Sequence, residues 1–324
     1  MKSWQKIVAW VAMAIGCGSP LAVASAEFPS KPVTIVVGYA PGGATDVTAR
    51  ILAKSLAKRW KQTVVVENRS GASGMIGAEY VARAASDGYV LLLGYTPEVS
   101  INTLIYKTMS YDPRADLAPI ALVSSAHLFL VSGPKMPVDS FQALMKNKGR
   151  DMPITFGSPG IGGQQHLAGE YLALQTGLQM MHIPYKGASP AVADLLGGQF
   201  DVFFSTPPVI LPHIRTGRLK PIMVTSNERD PLMPDVPSAR EVGLENFEIA
   251  NWFGFFGPKG TDPAIIEKIS ADTALVLEEP EVRAQLQANG LTATYMNAPA
   301  LKAYLAEEMD KYGGIIARSG IEKQ

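Results

Sequence analysis

The chain has 324 residues, 47% of them hydrophobic, with 29 basic and 29 acidic side chains; that length suits two domains of ordinary size, each with a globular core. The neutral balance and the lack of any Lys/Arg block exclude a surface built to grip nucleic acid or an acidic membrane. A single cysteine, Cys17, excludes a disulfide framework.

The N-terminus carries Lys2 and Lys6, an apolar stretch from Ile7 to Gly16, and small residues ending Ala24-Ser25-Ala26. That is the pattern of a secretory signal with an A-x-A cleavage site, so residues 1–26 are expected to be removed and the mature chain to begin at Glu27. Their loss subtracts two lysines and no acids, leaving 27 basic against 29 acidic residues on 298. The apolar stretch is too short to span a bilayer, and no later segment reaches the length of about 20 apolar residues that spanning requires. Ala14-Ile15-Gly16-Cys17 loosely resembles a lipoprotein signal, but its first position is normally Leu; lipidation at Cys17 is the minor alternative. The expectation is an exported, soluble protein whose mature form has no cysteine.

From Glu27 the pattern predicts strand Val33 to Val37, helix Thr45 to Lys58, strand Val64 to Glu67, helix Met75 to Ala84 and strand Val90 to Gly94. This is the βαβ rhythm of a parallel sheet covered by helices. In the first helix Val47, Ile51, Leu52 and Leu56 share a face, with Arg50, Lys54 and Lys58 opposite. A second unit repeats the rhythm: strand Ile154 to Phe156, helix Gln164 to Thr176, strand Met181 to Ile183, helix Pro190 to Leu196, strand Val202 to Phe204. Ser189 and Pro190 punctuate the start of its second helix and Gly197-Gly198 the end. Asp230 to Gly243 reads as a surface connection, followed by the apolar run Phe247 to Phe256. Three helical stretches remain, near Pro263 to Leu277, Glu281 to Asn289 and Ala300 to Ala317. Having no sheet of their own, they are expected to return to the first domain. Residues 27–127 with 252–324 then make a discontinuous first domain and 128–251 the second, joined by two crossings, which is the geometry of a hinge.

Each unit carries a glycine turn between a strand and a helix: Tyr39-Ala40-Pro41-Gly42-Gly43-Ala44-Thr45-Asp46 in the first, Ser158-Pro159-Gly160-Ile161-Gly162-Gly163-Gln164-Gln165-His166 in the second. The first N–H groups of a helix have no intrahelical partner and carry roughly half a positive charge, so each turn is an anion cradle. Two cradles suggest two lobes gripping one anionic ligand. Asp46 at a helix start reads as a cap that organises the loop, or as a group bridging to ligand through water. His166 reads first as a loop-ordering residue and second as a direct ligand. Lys186 is either a surface lysine or a positive charge for the ligand. Tyr39, Tyr95, Phe204 and Trp252 are candidate pocket walls, with core packing equally open for Trp252.

Catalytic and cofactor signatures are weak. Neither glycine turn ends in Gly-Lys-Ser/Thr, and the first is not G-x-G-x-x-G, which leaves a dinucleotide as a minor reading. His127, His166, His182 and His213 lack metal-ligand spacing. Ser73 lies in Gly-Ala-Ser-Gly-Met, one glycine short of a nucleophile elbow. The expectation is therefore a protein without enzymatic activity, cofactor or metal.

At these residues the chain resembles the extracytoplasmic solute receptors of tripartite tricarboxylate transporters, the Bug family. The match runs through Tyr39 to Asp46, Val66-Glu67-Asn68-Arg69 with Gly71 to Gly77, Gly157 to Leu167, Pro184 to Gly187, Asp194 to Gln199, Pro212-His213-Ile214, Val224-Thr225-Ser226, Leu232 to Pro237 and Pro258 to Pro263. The resemblance implies a type II periplasmic-binding-protein fold, two α/β lobes that close on a small carboxylate, with the membrane components of such a transporter as partners and a monomeric state. It places the backbone of Ala40, Gly42, Gly43 and Ala44 on one side of a carboxylate and Ser158, Gly162, Gly163 and Gln164 on the other. Thr45, Asp46, Tyr95, Thr96, His166, Tyr185, Phe204, Ser205 and Thr206 complete the candidate site.

One departure bears on the ligand. Many relatives have an aspartate soon after the strand matching Val202 to Phe204, where this chain has Ser205-Thr206-Pro207-Pro208. The missing acid removes a partner for an amino group and a repulsion toward a second carboxylate, so the expected ligand is a dicarboxylate, terephthalate-like first and a linear C4 to C6 diacid or citrate next. A receptor that signals instead of feeding a transporter, and an exported enzyme acting on a carboxylate, are the rival readings.

Overall fold

The computed structural model describes residues 28–319 together with 321 and 323; the expected leader and Cys17 lie outside them. In chain order the first lobe begins with β1 (Val33–Val37), α1 (Ala44–Trp60), β2 (Val64–Asn68), α2 (Met75–Ala82), β3 (Val90–Tyr95), α3 (Asn102–Ile105), α4 (Pro113–Asp116) and β4 (Leu117–His127). The second lobe contains β5 (Phe129–Ser132), α5 (Phe141–Met145), β6 (Ile154–Ser158), α6 (Gln164–Thr176), β7 (Met180–Pro184), α7 (Ala188–Leu196), β8 (Val202–Ser205), α8 (Pro207–Arg215) and β9 (Lys220–Val224). The chain then returns through β10 (Ala250–Pro258), α9 (Pro263–Glu278), α10 (Pro280–Ala288), β11 (Thr292–Asn297) and α11 (Ala298–Ser319).

Two sheets result, in the orders β11-β4-β10-β3-β1-β2 and β7-β6-β8-β5-β9. Each is built around the same trio: β1 is flanked by parallel β2 and β3, and β6 by parallel β7 and β8. The Val- and Ile-rich β1 is almost wholly buried, as a central strand covered on both faces should be. In both trios the chain reverses its winding direction beside the middle strand, which opens a crevice at the strands' carboxyl ends. Both glycine turns leave from that end.

The sheets are mixed, not the purely parallel ones that the βαβ rhythm predicts. β10 runs antiparallel to β3 and β4, β11 antiparallel to β4, and β5 antiparallel to β8 and β9. The reason is the return crossing: a chain leaving the first lobe along β4 re-enters it beside that strand in the opposite direction. The two crossings touch at a neck. Leu128 N–H donates to Thr225 Oγ1 (2.9 Å), Thr225 N–H to Leu128 O (2.8 Å), and Thr225 Oγ1 to Ile249 O (2.5 Å).

Helix α8 is a further departure, because it forms despite three prolines. Pro207 and Pro208 occupy its first positions, where no N–H is required, and only Pro212 sits inside. Helix α11 joins the lobes a third way. Leu301 near its start packs under the first sheet with Trp252, while Tyr312, Ile315 and Ile316 enter the second lobe's core with Phe156 and Leu167. Among the described residues no helix is long and apolar enough to cross a membrane.

Candidate functional site

The two glycine turns have the same backbone. Gly42 and Gly162 adopt φ of 86° and 81°, left-handed values that favour glycine. The next glycines cap the helices, Gly43 at φ −78°, ψ 169° and Gly163 at φ −69°, ψ 165°, and neither makes a side-chain cap bond. The first-turn N–H groups of α1 and α6 therefore have no side-chain acceptor at the cap.

In each turn the residue four places after the left-handed glycine accepts that glycine's N–H. Gly42 donates to Asp46 Oδ2 at 2.9 Å and Gly162 to His166 Nδ1 at 3.0 Å. Asp46 also accepts from Arg50 Nε (3.0 Å) and Asn68 Nδ2 (3.0 Å), while Asn68 donates to Tyr39 O as well (3.0 Å). Burial raises the Asp46 pKa, but hydrogen bonds from Arg50, Gly42 and Asn68 outweigh it and hold the carboxyl below its ordinary range. Because His166 Nδ1 accepts, its proton is on Nε2, which faces Glu170 Oε1 at 3.5 Å. His182 stacks on His166 with centroids 3.8 Å apart, and its Nε2 lies 2.6 Å from Ser158 Oγ. Burial first, and His166 second, push the His182 imidazole down to about 3.

The lobes meet over a cavity of about 210 Å³, lined by Tyr39, Gly71 to Gly74 and Tyr106 from the first lobe and by Pro159 to Ile161 and Pro184 to Lys186 from the second. Behind it lies a recess of about 10 Å³ between Tyr39, Tyr95 and Pro97 on one side and Gly160, Gly163 and Gln165 on the other. That is room for about one water. Three hydrogen bonds close the lobes directly: Ser73 Oγ to Ile161 O (2.9 Å), Tyr95 Oη to Gln165 Oε1 (2.5 Å) and Ser189 Oγ to Pro41 O (3.0 Å). Ala72 and Ser73 hold left-handed φ of 47° and 50° without being glycine, a strain of roughly 1–3 kcal/mol each. Asn102 Nδ2 supports it by donating to Ser73 O at 3.0 Å.

Of the residues singled out in the sequence, Tyr39, Ser73, Tyr95, Gly163, Tyr185 and Lys186 line the cavity or its recess. Ala40 and Gly42 abut the start of α7: a Cβ on Gly187 would lie 3.3 Å from Ala40 Cβ, and one on Gly42 3.4 Å from Ser189 Oγ. Gly43, Ala44 and Thr45 form the α1 cap and first turn, with Ala44 and Thr45 buried. Asp46, His166 and Ser158 stand behind the turns and order them. The Ser158 hydroxyl is occupied by Gly160 O (2.6 Å) and His182. The Gln164 side chain is fully buried outside the lining, so its contribution is the backbone N–H.

Phe204 does not wall the cavity. Its ring is in the second lobe's core, 6.1 Å from that of Phe247, because β8 is sandwiched between β6 and β5 with both faces covered. Thr96, Ser205 and Thr206 are also buried away from the lining, and Trp252 is a core residue whose Nε1 donates to Glu308 Oε2 at 3.0 Å. The lining residues beyond the glycine turns, Ala72, Ser73 and Tyr106, come from the loop after β2 and the segment after β3. In the sequence Ser73 stood out only as an incomplete nucleophile elbow; Gly71 and Gly74 bracket two residues in left-handed conformation. Lys186 lines the cavity and forms no ion pair among the described residues.

This arrangement has counterparts among known proteins. The family model described as "Tripartite tricarboxylate transporter family receptor" matches residues 48–321. Protein BugT of Bordetella pertussis is 35% identical over 318 residues, 97% of this chain and 98% of that one. The structure of the periplasmic binding protein BugD is 34% identical and superposes with a TM-score of 0.87, covering 92% of this chain and all of that one (100%). An R. palustris protein solved with adipate is 29% identical, with a TM-score of 0.89 over 92% of this chain and 100% of its own. With its fold, its paired glycine turns and the match along nearly all its length, the chain belongs to the tripartite tricarboxylate transporter receptor family, the Bug-type periplasmic solute-binding proteins.

Proposed function

We propose that the chain captures a small dicarboxylate in the periplasm between the lobes formed by residues 27–127 with 252–324 and by 128–251, and hands it to the membrane components of a tripartite transporter. The observation that carries this reading is the repeated turn: two helix starts with matching dihedrals, each with its left-handed glycine N–H tied back to a residue on the same helix, and neither capped by a side chain. The remaining first-turn N–H groups are donors for a carboxylate. A hydrogen bond to a charged group contributes roughly 1.5–3 kcal/mol. Three or four of them support micromolar binding, about 8 kcal/mol, after closure and ordering.

The remainder of the cavity bears on the rest of the ligand. Tyr39, Tyr106 and Tyr185 with Pro159 and Pro184 make flat apolar walls, and Lys186 supplies a cation with no protein partner in the structure. Such a space favours an aromatic diacid such as terephthalate, its far carboxylate toward Lys186. A linear diacid is the second reading, favoured by the adipate in the R. palustris neighbour. A volume of about 210 Å³ is below the usual range for drug-sized ligands, roughly 300–1,000 Å³, and fits a small one.

The test is a thermal-shift screen of the mature chain against aromatic and linear mono-, di- and tricarboxylates, with aspartate and nicotinamide dinucleotides as controls. A ligand that binds only the folded state raises the melting point by mass action. Stabilisation confined to diacids of one length supports the reading. Preferential response to aspartate sinks the dicarboxylate, and response to a dinucleotide alone sinks the receptor.

A further inference from the structure

Glu98 is fully buried (0% exposed), and its carboxyl is held by residues that line the cleft. Tyr39 Oη lies 2.9 Å from Oε2, and Oε1 accepts the Tyr95 N–H at 2.8 Å. A Cβ built on Gly74 would stand 2.7 Å from Oε2. Tyr39 and Gly74 line the main cavity and Tyr95 the recess behind it, so the carboxyl sits one residue layer behind the surface that the ligand meets.

The titratable groups that face it are all tyrosines. Tyr39 comes from the turn after β1, Tyr95 from the end of β3, and Tyr111 from ahead of α4, its hydroxyl donating to the Glu98 carbonyl at 2.5 Å. Among the described residues no lysine, arginine or histidine pairs with the carboxyl. An ionised Glu98 and a bound carboxylate would be two like charges in one water-poor region, and each disfavours the other. Burial pushes Glu98 up to about 8 even though its own N–H, the Tyr95 N–H and the Tyr39 hydroxyl all favour the ionised form.

We propose that Glu98 couples carboxylate capture to the uptake of one proton, the cleft holding an anion tightly only when the carboxyl behind Tyr39, Gly74 and Tyr95 is neutral. The proton enters from bulk water and settles on Oε2. Ionised, Glu98 accepts a hydrogen bond from the Tyr39 hydroxyl; neutral, it donates a hydrogen bond to Tyr39 Oη, which leaves the phenolic O–H, still protonated, free to donate to another acceptor. One proton thus removes a buried negative charge and turns the Tyr39 hydroxyl from a committed donor into a free one. Glu98 acts as a positioning residue for an anionic substrate, and the inference rests on the carboxylate-receptor reading above.

Calorimetric titration of the mature chain with terephthalate and with adipate, in buffers of different ionisation heat, measures the protons exchanged. About half a proton should be taken up near pH 8 and nearly one near pH 9, with Kd rising about tenfold per pH unit above 8. Glu98→Gln, which mimics the neutral carboxyl, should bind with no proton uptake and a Kd flat across that range. Tyr39→Phe keeps the carboxyl and removes a donor to its ionised form, so the uptake should persist and move to higher pH; it serves if Glu98→Gln fails to fold. Diacid binding by the native chain with an unchanged Kd and no proton uptake from about pH 6 to 9 overturns the coupling and leaves the receptor standing. Failure of every carboxylate to bind at any pH removes the receptor reading and this proposal with it.

Discussion

Replacing Gly163 by valine separates site from scaffold. Gly163 has φ −69° and ψ 165°, extended backbone open to any residue. A Cβ there would meet Pro97 Cγ at 3.5 Å and Gln165 Oε1 at 3.6 Å, both ordinary contacts. The folding cost is then mainly the poorer helix cap, about 1 kcal/mol. The same Cβ carries two methyl groups into a recess of about 10 Å³, which holds no more than about one water. A carboxylate on this turn loses two or more charged hydrogen bonds at roughly 1.5–3 kcal/mol each, so Kd should rise at least about 150-fold. Calorimetry gives Kd, and the melting point without ligand gives the folding cost. Gly313→Ala is the control: nothing lies within 4 Å of its Cβ position on α11, so it should gain up to about 1 kcal/mol of helix stability and bind as before. A Gly163→Val protein that folds and binds within about threefold of the native Kd refutes the carboxylate's placement at α6.

Three further perturbations address the groups behind the cleft. Asp46→Asn should cost roughly 1–3 kcal/mol at pH 7 in urea melts, and the cost should shrink on acidification; the Asp46 pKa is lowered on folding, so its stabilising share is present above the unfolded value and lost as pH falls through the folded one. His182, held down to about 3, gives the same sign: stability is full above the unfolded value near 6.5 and falls by about 1.4 kcal/mol per pH unit toward 3. His182→Gln should flatten the melting point between about pH 6 and 4, and equal slopes would show that the imidazole is not the titrating group. Ser73→Ala removes the bond to Ile161 O and should weaken diacid binding about fivefold with little change in unliganded stability; undiminished affinity would deny that contact a part in closure.

The glycine turns were legible in the sequence because Pro41-Gly42-Gly43 and Ile161-Gly162-Gly163 each stand between an apolar strand and a periodic helix. Asp46 was legible as an acid that organises the loop, although the cap itself is Gly43 and Asp46 accepts the Gly42 N–H from within the helix. Its equivalence to His166 was not, since only the fold shows that both accept the N–H four residues back. Strand alternation misled for Phe204: Val202 to Ser205 is buried on both faces, so period two cannot tell the cleft side from the core side. Glu98 carries no signal of burial. In the sequence Glu98 has no assigned role; its burial shows only in the fold, where Tyr39 and the Tyr95 N–H hold its carboxyl. Ser73 gains its place from a strained backbone that residue types alone do not encode.

The placement of Ile101 and Ile105 bears on how closure is stabilised. Both follow β3 in the first lobe, yet both are wholly buried in the second lobe's core cluster beside Leu167 and Tyr312. A Cβ on Gly162 would lie only 3.0 Å from Ile105 Cγ1, so this apolar contact runs up to the ligand turn itself. Burying one such side chain contributes roughly 1.5–3 kcal/mol relative to exposure. Together with the Ser73, Tyr95 and Ser189 bonds it stabilises the closed lobes before any ligand arrives. The neck at Leu128 and Thr225 and the tail of α11 join the lobes away from these cleft contacts. If the lobes open and close as proposed, these contacts bias the equilibrium, and a ligand needs to add only its differential affinity for the closed form. On that reading a small carboxylate with few contacts would suffice, because the apolar share of the closing energy does not depend on it.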